Sequence, residues 1–264
     1  MSRFFKVLLL LFFALFLCSG FVYAAAFTFG PAGSGQLQDV LDDITVGPNP
    51  GVSSVNVETD ALTDSSDTHW SITGAGASVS TLIIELAGFA GDNIFGIYDA
   101  ADSSKQVQVF AGAAGAGDQS FVSIKADGSV FIDNSDTGVD FAGNLFGYFL
   151  DASANSAFGG GFWYSDTGLN DDGLDHMAAY QGKNVDTIQL PGLAAGTWTD
   201  NEFLLAWEDL DKDSTWYPYD GDYTDFVVMV ESVEPIPEPA TMLLVGSGLI
   251  GLAGLGRRKV FNKK

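Results

Sequence analysis

From residue 27 to residue 234 the chain alternates short apolar stretches with Gly, Asp and Ser turns. Ten stretches read as strands: residues 52–58, 79–87, 94–98, 105–110, 121–125, 129–133, 145–150, 161–164, 203–208 and 226–231. They are rich in Val, Ile and Phe, and many start about 8–12 residues apart, the rhythm of an all-β sandwich or jelly roll. Asp127-Gly128, between Ile124 and Val130, predicts a hairpin turn. One short N-terminal helix is predicted over 36–43, where Leu37, Val40, Leu41 and Ile44 share a face. No repeat of fixed period interrupts the region, so residues 25–234 predict one β-sandwich domain around one core.

The two ends break this pattern. Residues 1–24 have a basic start (Arg3, Lys6), an apolar run over 7–17 and the small-residue pattern Val22-Tyr23-Ala24. That is the layout of a secretory signal peptide cut after Ala24, with Ala25 and Ala26 as alternative cut points. The Sec translocon and signal peptidase are then expected partners; an uncut anchor is the alternative. Cys18 is the single cysteine, and bulky Leu17 before it argues against a lipoprotein. A chain cut after Ala24 has no disulfide to lean on.

At the other end, residues 240–256 carry no charge over 17 positions, long enough for a transmembrane helix. Arg257, Arg258 and Lys259 stop the run, and basic residues keep the C-terminus cytoplasmic. Pro237-Glu238-Pro239 stands before the span, held extended by its two prolines, as a protease requires. Pro237, Glu238, Pro239, the apolar span and the basic cluster together resemble a PEP-CTERM protein-sorting domain over 235–264. The resemblance implies a Gram-negative bacterium and recognition by an exosortase near 237–239. It also implies transient inner-membrane anchoring, loss of the tail, and release to the cell surface or extracellular matrix. Such proteins often accompany exopolysaccharide production and biofilm. A plain C-terminal anchor in the envelope is the alternative.

Charge sharpens the division. The formal net charge is −23, but seven of the 11 basic residues lie in the two ends. All 34 acidic residues lie between Asp39 and Glu238 and face only Lys105, Lys125, Lys183 and Lys212, a formal balance of −30. Such a domain excludes nucleic acid as a partner, since phosphates call for Lys and Arg.

The densest acid lies between Leu204 and Glu231: Asp209, Asp211 and Asp213 alternate, and Asp220, Asp222 and Asp225 follow. Crowded carboxylates repel one another unless a cation sits among them, and hard oxygen ligands suit Ca²⁺. The spacing partly mimics an EF-hand, but Ser214 stands where Gly is required and the flanks read as strands. A β-type Ca²⁺ site and a solvated acidic hairpin loop are the two readings. Trp207-Glu208-Asp209-Leu210 followed by Asp220-Gly221-Asp222-Tyr223-Thr224-Asp225 also resembles a bacterial exported family of unknown function, which has no activity to transfer. A second polar stretch, 164–177, holds Asn170, Asp171, Asp172, Asp175 and His176 and reads as a loop between strands.

No catalytic site is expected. The two histidines are His69 and His176, and the chain lacks a G-x-S-x-G elbow, an H-E-x-x-H pair and a phosphate-cradling loop with Lys. The Gly-rich stretch 111–118 reads as a plain loop. Trp163, Tyr164, Trp216, Tyr217 and Tyr219 are candidate exposed aromatics for stacking on extracellular polysaccharide. The expectation is an exported structural or adhesive protein with Ca²⁺ assistance; a carbohydrate-active enzyme is the alternative, since paired carboxylates abound.

Overall fold

A computed structural model describes residues 28–74, 76–84, 91–215 and 219–237. The predicted signal peptide with Ala24, then Glu238, Pro239, the apolar run and Arg257, Arg258 and Lys259, lie outside the described residues. Among the described residues, no helix is long and apolar enough to cross a membrane.

Helix α1 (Gly35–Ile44) leads into β1 (Thr45–Gly47), and a one-turn helix, α2 (Asp64–Asp67), precedes β2 (His69–Ile72) and β3 (Ser78–Ile84). Then follow β4 (Ile94–Asp99), β5 (Asp102–Phe110), β6 (Gln119–Ile124), β7 (Ser129–Ile132), β8 (Ser135–Asp140), β9 (Phe146–Asp151), β10 (Phe162–Tyr164) and β11 (Met177–Gln181). The later strands are β12 (Thr187–Ile188), β13 (Gly196–Thr197), β14 (Glu202–Trp207), β15 (Phe226–Glu231) and β16 (Val233–Ile236).

The strands form an antiparallel sandwich. One sheet runs β11-β14-β15-β3-β6-β7-β8; the other runs β16-β2-β9-β4-β5, with β10 also paired to β9. Period-2 alternation sends Phe203, Leu205 and Trp207 of β14, and Phe226, Val228 and Val230 of β15, into the space between the sheets. There they meet Trp70, Phe95, Ile97, Tyr148 and Leu150 of the facing sheet. Edge-to-face pairs such as Trp70–Phe203, centroids 4.9 Å apart, and Phe95–Trp207, 6.2 Å apart, lock the layers together.

The opposite face of β14 and β15 is buried too. Leu204, Ala206, Val227 and Met229 point outward onto Leu37, Leu41 and Ile44 of α1, with Trp198 and Tyr223. The predicted apolar stripe of the helix is therefore the stripe that docks. A small sheet, β1-β12-β13, frames this second layer.

The predicted strand over 52–58 is a correction: that stretch is irregular. Side chains take over the backbone partners a ladder would have used. The Asp186 carboxylate accepts from Ser54 N at 2.7 Å and Ser54 Oγ at 2.9 Å, and Gln38 brackets Val55 O and Val57 N at 3.2 and 3.1 Å. Val55 and Val57 stay buried, which is why the apolar pattern mimicked a strand. Asp127-Gly128 does make its turn, with Gly128 in the left-handed region at φ +95°. The strands β1, β2, β8, β11, β12, β13 and β16 had no counterpart among the ten predicted ones.

The last strand matters for the chain's exit. All four residues of β16 pair with β2, and Val233 is 1% exposed inside the sandwich core. Removing its two methyls should cost about 2 kcal/mol. Val233→Ala should lower Tm by roughly 5 °C in a thermal melt, whereas exposed Glu234→Ala should shift it little. Equal shifts for the two would show that β16 is not part of the folded unit.

Candidate carboxylate nest

The antiparallel pairing of β14 with β15 sets Trp207 opposite Phe226. The residues just beyond, Glu208 and Asp209 on one side and Asp225 on the other, are thereby brought to the same end of the sheet. Glu208 continues the parity of Leu204 and Ala206, so its carboxylate turns toward the second layer. It is fully buried, and Asp209 is 2% exposed.

The 208–226 connection folds back to add Asp220 and Asp222. Its return is held by the N-terminal segment, where Gly30 N donates to Gly221 O and Ala32 N to Asp220 O, both at 2.9 Å. Glycine is required at 30 and 221 because the two backbones touch; a β-carbon on either would strike the other strand. Tyr223 adopts φ +59°, a strained conformation for a bulky residue. Its hydroxyl donates to Asp175 O at 2.6 Å, and its ring edge meets Phe29. These anchors fix Asp222, whose Oδ1 accepts from Thr224 N and Oγ1 at 2.8 and 2.7 Å and whose Oδ2 accepts from Gln36 Nε2 at 2.7 Å.

Two triads result. One oxygen each from Glu208, Asp209 and Asp225 lie within 4.8 Å of one another, and so do oxygens of Glu208, Asp220 and Asp222. Donors are few. Asn93 Nδ2 donates to Asp209 Oδ2 and Asp209 N to Asp225 Oδ2, both at 3.0 Å; Leu210 N donates to Glu208 Oε1 at 3.2 Å. Glu208 Oε2 and Asp220 Oδ1 are buried with no hydrogen-bond partner. Burial, then Asp225 and Asp220, push the Glu208 carboxyl up to about 11. Burial raises Asp209 to about 6 against the Asn93 hydrogen bond, and lifts Asp225 and Asp220 as well.

The sequence candidates are thus sorted. Asp209, Asp220, Asp222 and Asp225 come together, joined by Glu208, which sequence reasoning did not include. Asp211 and Asp213 belong to neither triad: Asp211 Oδ1 accepts from Asp213 N at 2.8 Å in a turn, and the Asp213 side chain is 80% exposed. The parity of β14 was the signal that could have found Glu208.

His176 packs beside the nest without joining it. Its ring stacks on Trp163 with centroids 3.7 Å apart; Nδ1 meets Glu208 O at 2.9 Å and Nε2 meets Asp172 at 3.0 Å. With both nitrogens engaged, the nest offers oxygen donors. Trp163 is buried, which corrects its expected exposure; Tyr164 and Tyr219 are half-buried, and Trp216 and Tyr217 lie outside the described residues.

A second acidic pair, Asp67 and Asp175, is buried nearby with Oδ2 of each unpartnered. Asp175 faces Asp64 and Asp67 of α2, Tyr180 of β11, and Tyr219 and Tyr223. Burial, then Asp64, raises it to about 8. A carboxyl raised on folding holds an extra proton in the folded state, so its stabilising contribution is lost as pH climbs from the ordinary carboxylate range to about 8. The slope is about 1.4 kcal/mol per pH unit per proton. Asp175→Asn should therefore melt several degrees above wild type at pH 8 and with it at pH 4, in melts without divalent cations. Parallel curves for the two proteins would refute this assignment.

No curated protein and no solved structure matches the chain. Residues 235–259 match the PEP-CTERM protein-sorting motif, which marks the chain as an exported protein addressed to an exosortase.

Proposed function

We propose that the chain is a cell-surface or extracellular-matrix protein with a structural or adhesive role linked to exopolysaccharide, and that Ca²⁺ bound in the carboxylate nest holds its sandwich together. The observation that carries the calcium reading is Glu208, fully buried with Oε2 lacking a hydrogen-bond donor, whose carboxylate lies within reach of four further carboxylates in two groups. An ionised carboxylate in that position is costly unless a cation compensates it. Oxygen donors alone favour Ca²⁺ over softer transition metals, which take nitrogen or sulfur. Outside the cell, where exosortase substrates are sent, such an ion is abundant.

The adhesive part draws on the outer face of the six-stranded sheet. Gly96 and Gly147 leave room there for the rings of Phe149 and Tyr98. Phe162 and Tyr164, half-buried with centroids 4.9 Å apart, extend this row. Partly exposed aromatic faces on a rigid sheet suit sugar rings. A carbohydrate-active enzyme is the competing reading, tested by turnover on a glycan panel. An envelope protein that keeps its tail is another, separated by the intact mass of the native protein, which should lack residues 240–264.

Melting the purified protein with millimolar Ca²⁺ and with EGTA tests the calcium reading. At a concentration 100 times Kd the ion adds about 2.7 kcal/mol, roughly 5–10 °C for a chain of this size. An unchanged Tm overturns the calcium reading and leaves the export route standing. Phe162→Ala with Tyr164→Ala should lower Tm, since the two rings pack on Phe149 and Tyr98. Compared at a temperature where both proteins are folded, the variant should show weaker retention on the producer's own polysaccharide; full retention by the folded variant would remove the adhesive surface.

A further inference from the structure

Glu208 belongs to both triads, while Asp209 and Asp225 belong to one and Asp220 and Asp222 to the other. Oxygens around one Ca²⁺ lie 2.3–2.6 Å from it, so ligands of a single ion are at most about 5 Å apart. Each triad meets that limit within itself, and Glu208 is their common member. We propose that the nest is a two-cation centre, in which the Glu208 carboxylate bridges one Ca²⁺ held with Asp209 and Asp225 and a second held with Asp220 and Asp222. This rests on the calcium reading above and goes beyond it in number and arrangement.

Three observations support a second ion. The first is charge: one divalent cation among five ionised carboxylates leaves −3, two leave −1. Among the described residues no lysine pairs with any of the five; Lys212, the nearest in sequence, donates to Asp172 O at 2.7 Å and pairs with Asp213. The second is the pair of orphaned oxygens. Glu208, whose Oε2 is orphaned, is shared by both triads, and Asp220, whose Oδ1 is orphaned, belongs to the second alone. A single ion in the first triad would leave Asp220 Oδ1 without a partner. The third is scaffolding. The first triad stands on the ends of two paired strands, whereas the second stands on a loop clamped by residues 30–32 and by Gln36 of α1. Apart from the shared Glu208, the two positions therefore have separate supports, and each can be lost alone.

Counting Ca²⁺ per chain on the full-length protein in detergent tests this. Equilibrium dialysis in roughly 0.5 M KCl screens diffuse ion condensation on the acidic surface. The expected count is two for wild type, one for Asp225→Asn, one for Asp222→Asn, and no tightly held ion for Glu208→Gln. One ion in wild type overturns the bridged centre while keeping the calcium reading; none overturns both. An Asp225→Asn or Asp222→Asn protein that keeps its far-ultraviolet circular dichroism but loses both ions also overturns it. The wild-type count decides the question even if Glu208→Gln fails to fold.

Discussion

The pairing of β14 with β15 is the constraint on which the rest of this molecule depends. These two strands are buried on both faces: one side fills the sandwich, and the other receives α1 and the second layer. Strands so enclosed must be continuously apolar, and they are, from Phe203 to Trp207 and from Phe226 to Val230. The ladder cannot slip without sending every side chain to the wrong layer. Register being fixed, the first residues past its end are fixed as well, and those residues are Glu208, Asp209 and Asp225. A rigid apolar ladder thus delivers carboxylates to one point with little freedom to spread apart.

That delivery sets a conflict between burial and charge. Exposed carboxylates, such as Asp102 and Asp127, settle into local turns and lie below the ordinary carboxylate range because neighbouring Ser side chains and backbone amides donate to them. Glu208 and Asp225 have few donors and many acidic neighbours, and burial drives them the other way. Only a bound proton or a cation relieves such a cluster. The strained Tyr223 backbone, the glycine contact at 30 and 221, and the buried Asp222 turn all serve to hold Asp220 and Asp222 inward. The fold thus draws these five carboxylates inward rather than turning them to solvent.

Much of this was legible in the sequence, for reasons visible at single positions. Leu37, Val40, Leu41 and Ile44 recur at helical spacing, and all four are buried under α1. The strand 226–231 is bounded as predicted because Asp225 on one side and Glu231-Ser232 on the other close off the apolar run from Phe226 to Val230. The stretch 52–58 misled because burial of Val55 and Val57 comes from long-range side-chain hydrogen bonds to Asp186 and Gln38, which no local pattern records. β8 was invisible because its exposed residues, such as Ser135, Asp136 and Asp140, carry no apolar alternation. The alternating Asp209, Asp211 and Asp213 looked like one ligand set, yet the strand ends at Trp207 and the chain turns at 211–214, so Asp209 enters the nest while Asp213 faces water. Glu208 was hidden by its position at a strand end, where a charged residue ordinarily marks exit to solvent.

The sorting signal and the fold also meet at one strand. The matched motif begins at Pro235, and β16 does not end until Ile236, so two residues belong to both. From Ile236 to Ala240, the first residue of the apolar run, there are four Cα steps, at most about 14 Å. Before processing, the folded sandwich therefore stands within that reach of the membrane-directed segment. Proline suits this place: Pro235 offers no N–H, and β16 is an edge strand whose far side pairs with nothing among the described strands. A cut beyond Ile236 leaves Val233 in the core and the edge intact. A cut before Val233 would strip that buried residue from the sandwich. The stability of the domain thus places a limit on where release can occur without unfolding what is released.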